Sequence, residues 1–110
     1  MPLAHPSTEQ LDLPTVLAAL SDPTRLAIVR QLAAGRESVC GGFGGHGSKS
    51  ALSYHFTRLR EAGITRTRVE GTARYITLRR DDLDARFPGL LDAVIRAADR
   101  PDSDRPAEDG

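Results

Sequence analysis

Ser48-Lys49-Ser50-Ala51-Leu52-Ser53-Tyr54-His55-Phe56-Thr57-Arg58-Leu59-Arg60-Glu61-Ala62-Gly63, running on through Ile64-Thr65-Arg66-Thr67-Arg68-Val69-Glu70-Gly71-Thr72-Ala73-Arg74-Tyr75-Ile76-Thr77-Leu78-Arg79-Arg80, decides the fold. Leu52, Phe56, Leu59 and Gly63 recur at the spacing of one buried helical face. Ser53, Tyr54, Thr57, Arg58 and Glu61 fall on the other side. Ser48 or Ser50 can accept hydrogen bonds from the free amides of the first turn, and Gly63 is a stop. Two runs rich in β-branched residues then flank Glu70-Gly71-Thr72, a hairpin signal. From Lys49 to Arg80, eight basic residues stand against Glu61 and Glu70, a net charge of +6. A cationic helix beside a cationic hairpin suits a grooved polyanion.

The rest of the chain concentrates that charge by contrast. The 110 residues carry no formal net charge, because residues 1–48 hold −1 and residues 81–110 hold −5. Local positive charge in a neutral chain is the footprint of a nucleic-acid binder; the bland alternative is that the arginines pair with the acidic C-terminal stretch. The length predicts one domain, able to bury a core but helped by dimerisation. A single cysteine, Cys40, excludes an internal disulfide. There is neither a long apolar run nor a signal-peptide pattern, so the expected location is the cytoplasm, with no membrane partner.

Outward from the central stretch, residues 1–10 contain two prolines and no periodicity and are expected to be a flexible arm. Leu11, Leu13, Val16, Leu17 and Leu20 predict a short helix over 11–20, apolar on more than one side. Asp22-Pro23 is a helix start, with Leu26, Val29, Leu32 and Ala33 as the buried stripe, Ile28 on its flank and Gly35 at the end. Residues 36–47 hold five glycines within 41–47, so a loop is expected there. Asp81-Asp82 is expected to cap a last helical region, broken by Pro88-Gly89 and resumed with Leu90, Leu91, Val94, Ile95 and Ala98. Residues 11–98 are thus the domain, and 99–110 an acidic, disordered tail.

The fold class expected is mainly α with a β-hairpin wing (α+β). The order is that of a winged helix-turn-helix, and two stretches resemble the ArsR/SmtB (arsenic-repressor-like) family of transcriptional regulators. Leu20-Ser21-Asp22-Pro23-Thr24-Arg25-Leu26 is similar to the family's lead into its second helix. Ser50-Ala51-Leu52-Ser53-Tyr54-His55-Phe56 through Leu59-Arg60-Glu61-Ala62-Gly63-Ile64 is similar to its recognition helix. The resemblance implies a homodimer with the first and last helices at the interface; Leu13, Val16, Leu17, Leu90, Leu91, Val94 and Ile95 are the candidates there. It also implies recognition helices in successive major grooves of a palindromic operator on double-stranded DNA, with wings on the flanks. By chemistry, Ser53, Tyr54, Thr57 and Arg58 are candidates for base edges and nearby phosphates. Lys49 and Ser50 suit phosphate at a helix start, and Arg68 and Arg74 suit phosphate or the minor groove.

The family's metal sites are not carried over intact. Its Cys-x-Cys pattern meets Val39-Cys40-Gly41 here, and the last helical region offers Asp84 and Asp92 but no histidine. His5, Cys40 and His46 remain as candidate metal ligands, suited to nickel or zinc as an effector. His55 reads as a packing residue. The alternative reading is a DNA-binding subunit whose effector is sensed by a co-regulator protein. A remote one is a nucleotide-binding enzyme, from the G-x-G-x-x-G match at Gly42–Gly47, but neither the preceding strand nor the βαβ unit that this motif needs is predicted. No catalytic constellation is recognisable.

Overall fold

A computed structural model describes residues 3–35, 37–39 and 48–99. Among them the chain forms α1 (Leu13–Leu20), α2 (Pro23–Ala34), β1 (Glu37–Val39), α3 (Lys49–Glu61), β2 (Thr65–Glu70), β3 (Ala73–Leu78), α4 (Arg80–Arg86) and α5 (Leu90–Ala98). A 3-10 turn at Thr8–Gln10 precedes them. The fold is mainly helical with an antiparallel hairpin, as expected. No described helix is long and apolar enough to cross a membrane.

Three helices begin where a short polar side chain can take up free amides. Asp12 accepts from Thr15 N at 3.1 Å, Asp22 from Arg25 N at 3.0 Å and Ser48 from Ala51 N at 3.1 Å. Ser48 is therefore the cap of α3, and Ser50 lies inside the helix. Pro23, with no amide to satisfy, occupies the first position of α2. α3 ends in a Schellman arrangement: Ile64 N donates to Leu59 O and Gly63 N to Arg60 O, both at 3.0 Å, with Gly63 at φ +83°. The Asp81-Asp82 cap is corrected. Arg79 is the α4 N-cap residue, without a side-chain cap, and both aspartates lie in the first turn.

The hairpin register pairs Thr65 with Leu78 through Glu70 with Ala73. This leaves Gly71-Thr72 as a two-residue turn, with positive φ at the first position (+61°) and not the second, as a type II′ turn requires. The third strand, β1, was not expected. Glu37–Val39 pairs antiparallel with Thr77–Tyr75, giving the order β1-β3-β2. The expected loop over 36–47 is thus a strand in that part; residues 36 and 40–47 lie outside the described residues.

One core joins the helices to β3: Leu11, Val16, Leu20, Ile28, Val29, Leu32, Leu52, Leu59, Ile64, Ile76, Leu83 and Leu91 are buried together. Several expectations change here. The α2 stripe is Arg25, Ile28, Val29 and Leu32, with Leu26 and Ala33 only half-buried. Val16 and Leu91 are 1% and 2% exposed, already enclosed by their own chain and so unavailable to a partner. Leu11 lies ahead of α1 rather than within it, and it is buried against the end of α3. The described part of residues 1–10 is docked rather than free. Arg79 Nη1 donates to Pro6 O at 2.7 Å and Thr8 Oγ1 to Asp82 Oδ1 at 2.6 Å. The Thr8 hydroxyl, then Arg79, hold the Asp82 carboxyl below the usual aspartate range. At the other end, Asp99 is the C-cap of α5, and residues 100–110 lie outside the described residues.

Gly63 is where backbone and packing demands coincide. A Cβ there would lie 2.0 Å from Leu11 Cδ2, whereas one at Gly89 (φ +81°) would meet open space. Gly63→Ala is expected to cost roughly 1–2 kcal/mol for the left-handed backbone plus about 1–3 kcal/mol for displacing Leu11. Gly89→Ala should cost only the first part, and urea-unfolding midpoints of the two variants measure the difference.

Candidate nucleic-acid interface

α3 buries Leu52 and Leu59 and turns a polar face outward. Lys49, Ser50, Ser53, Tyr54 and Arg58 are exposed on it and Thr57 is half-buried, so the residues proposed from the sequence share one accessible face. Tyr54, 57% exposed, is the large side chain at its centre. Its ring meets the His55 imidazole edge-on, centroids 5.5 Å apart, and the Arg25 guanidinium lies 6.0 Å from its centroid. Arg58 sits 3.8 Å from Glu61, an exposed pair that solvent weakens. Lys49 has no side-chain partner among the described residues.

His55 does pack, as expected, and its partners are polar. Arg25 Nη1 donates to His55 Nδ1 at 3.2 Å. Because arginine has no acceptor, Nδ1 is the unprotonated nitrogen in this contact. Asp22 Oδ2 is 3.8 Å from the same nitrogen. The hydrogen bond from Arg25 N is the first cause holding the Asp22 carboxyl below its ordinary pKa. The capping residues of α2 thereby reach the middle of α3.

The hairpin presents cations on both of its faces. Directly paired residues share a face. Arg68 lies with Tyr75, its guanidinium 4.5 Å from the ring centroid, and also forms an ion pair with Glu70. Arg74 lies with Val69 on the opposite face; both are exposed, and Arg74 has no side-chain partner among the described residues. Arg66, also exposed, is on the Arg68 face, 3.9 Å from Asp82. It belongs with the candidates by position, and strand alternation outward from Arg68 would have found it.

The raw charge count overstates what is free to meet a ligand. Arg79 is 5% exposed and bonded to Asp82 at 2.9 Å and to Pro6 O. Arg80 pairs with Asp92 on α5 at 2.8 Å. Of the eight cations, Arg79 is thus buried, Arg80 is paired to α5 at the surface, and Arg60 is half-buried. Lys49, Arg58, Arg66, Arg68 and Arg74 make up the outward basic surface.

Of the candidate metal ligands, Cys40 and His46 lie outside the described residues. His5 is committed elsewhere: its Nε2 accepts from Thr67 N at 3.1 Å. Among the described residues no group of three His, Cys, Asp or Glu side chains could hold a metal ion.

No protein-family profile matches the chain. Over 82 residues it is 43% identical to YceK of Bacillus subtilis (strain 168), an uncharacterized HTH-type transcriptional regulator; the match covers 72% of this chain and 82% of YceK. A solved structure of a possible transcriptional regulator for arsenical resistance is 32% identical, with a TM-score of 0.59, over 79% of this chain and 97% of that one. The crystal structure of an ArsR family transcriptional regulator has the same fold, with a TM-score of 0.62 at 22% identity, over 89% of this chain and all of its own.

If the wing cations meet phosphates, each removes counterions from DNA. Arg68→Ala and Arg74→Ala are each expected to lower the slope of log Kd against log salt by about 1. Arg80→Ala, which breaks the pair with Asp92 on α5, should leave the slope unchanged. Fluorescence-anisotropy titrations at four or five salt concentrations make the comparison.

Proposed function

This chain belongs to the ArsR family of helix-turn-helix transcriptional regulators, and from that premise we propose that it acts as a homodimer on a palindromic operator. It is a DNA-binding transcriptional regulator and not an enzyme. The observation that supports the finer reading is the single exposed face of α3, with Ser53, Tyr54 and Arg58 beside a hairpin carrying Arg66, Arg68 and Arg74. An α-helix fits the major groove, where every base pair has a distinct donor and acceptor pattern. In this reading Ser53, Tyr54, Thr57 and Arg58 meet base edges, Lys49 and Ser50 meet phosphate at the helix start, and Arg68 and Arg74 meet flanking phosphates or the minor groove. The work is done in the cytoplasm, where the operator is.

Dimerisation is supported by α1. Leu13 and Leu17, 41% and 45% exposed, stand one turn apart on a face that the protomer does not cover. On α5, Leu90, Val94 and Ile95 are half-buried and retain surface to add. Two-fold symmetry would then set the α3 helices about one DNA turn apart, roughly 34 Å. Metal sensing in this chain would rest on Cys40 and His46. Isothermal titration with nickel, zinc and copper(I) decides between self-sensing and a co-regulator partner.

The test of operator recognition is a binding titration on fragments of the gene's own upstream region. One fragment should bind at least roughly 1,000-fold tighter than unrelated DNA of the same length, with a steep salt dependence; equal affinity for both ends the reading. Leu17→Glu is expected to convert a dimer to a monomer in sedimentation and to weaken operator binding on the order of 100-fold. A variant that sediments as the wild type would remove α1 from the interface.

A further inference from the structure

The outer edge of the wing sheet is closed by the segment ahead of α1. β2 is an edge strand, so its outward amides have no strand partner. One of them, Thr67 N, donates to His5 Nε2 at 3.1 Å. The same segment is tied down along its length. Arg79 Nη1 donates to Pro6 O at 2.7 Å, Thr8 Oγ1 to Asp82 Oδ1 at 2.6 Å, and Arg86 Nη2 to Leu11 O at 2.7 Å. Leu11 is seated against Gly63, the residue that ends α3 and leads into β2. One stretch of seven residues therefore touches β2, the α3–β2 junction and α4. Beyond Thr67 the hairpin runs out of the core: Val69 is 48% exposed. Arg68 and Arg74 ride on that projecting part.

We propose that residues 5–11 are a strap that fixes the angle of the wing against α3, with His5 the positioning residue at its tip. The inference rests on the wing reading given above and adds the element that aims it. Without the strap, β2 would be hydrogen-bonded along one edge only, by β3, and the tip could swing about the Gly63 junction. With it, the base of β2 is gripped from both sides, and Arg68 and Arg74 meet DNA in register with the recognition helix. The imidazole suits this role in its neutral form, the one in which Nε2 can accept. Burial first, then Arg66, Arg60 and Arg79, lower the His5 pKa, against a smaller opposing effect from a Leu3 backbone hydrogen bond. Those arginines come from β2, α3 and the start of α4, and Asp82 on α4 balances Arg79 and Arg66.

The experiment uses the full chain, two variants and a control. His5→Ala removes the acceptor; His5→Gln keeps an oxygen acceptor at similar reach. Arg68→Ala/Arg74→Ala removes the two cations of the projecting part of the wing. Amide exchange at Thr67 is read in the free protein against Ile76 in the core strand as an internal reference. Affinity for the tightest-binding upstream fragment is then read as a function of salt. For His5→Ala, Thr67 exchange should quicken at least roughly 10-fold with Ile76 unchanged. Its Kd should rise roughly 3- to 10-fold as fewer molecules hold a competent wing, with a shallower salt slope. His5→Gln should stay within about twofold of wild type on each readout. The strap is overturned if His5→Ala keeps wild-type Thr67 protection and salt slope, or if His5→Gln fails as His5→Ala does. If instead the double arginine variant keeps the wild-type slope, the wing reading fails. The strap's part in DNA binding then fails with it, while Thr67 exchange still reports whether the docking exists.

Discussion

The buried guanidinium of Arg25 is the contact on which the placement of the recognition helix depends. It is 9% exposed, and its Nε donates to Ala19 O at 2.7 Å in the last turn of α1. A helix leaves its final carbonyls unpaired and its C-terminus negative, so a cation there is favoured twice over. The other arm of the guanidinium donates to His55 on α3. One side chain near the start of α2 thus binds the end of α1 and the middle of α3. Losing it would leave a buried carbonyl and a half-buried imidazole without their donor, a cost of about 1–3 kcal/mol for each group stranded in the interior. It would also take away the cation beside Tyr54, on the exposed face of α3.

The same economy governs the charge distribution. Arginine serves both as a structural fastener and as an outward ligand, and only position in the fold separates the two uses. Arg25, Arg79 and Arg86 reach backbone carbonyls of Ala19, Pro6 and Leu11, closing segments that no regular ladder pairs. Arg30 and Arg80 tie to acids on or at the end of α5, at 2.7 and 2.8 Å. Part of the acidic C-terminal third thereby balances cations of the fold, which leaves the far surface of α3 and the wing positive. A neutral chain can in this way keep a DNA-directed field on one side without the self-repulsion of a uniformly basic protein.

What was legible in the sequence was local. Asp22-Pro23, Ser48 and Gly63 mark helix ends because capping is settled within a few residues, and Gly71 fixes the turn because the demand for positive φ is its own. The outward set on α3 followed from helical period alone. What was not legible needed the partner across the chain. Glu37-Ser38-Val39 is too short to carry a period, and becomes a strand because β3 offers it an edge. Leu11 looked like the start of a helix, yet it serves as a plug over Gly63, which only the tertiary path reveals. Val16 and Leu91 share the apolar pattern of Leu13 and Leu17, and burial within the protomer separates them. His5 carried no pattern at all; its use is set by an amide more than sixty residues away in sequence.

These non-local contacts also set where α3 sits. The position of α3 is fixed by contacts with the rest of the described fold. The fixed points lie beneath the helix and at its end. Leu52 and Leu59 enter the core, His55 is held by Arg25, and Gly63 admits Leu11 too closely for any other residue. After α2, β1 is paired to β3 and carries the chain out along the same sheet that bears the wing. The sheet and α3 are referenced to one another through the core and the turn at Gly63. The placement of α3 therefore depends on Arg25, His55, Gly63 and Leu11, residues that act through packing and hydrogen bonds within the protomer.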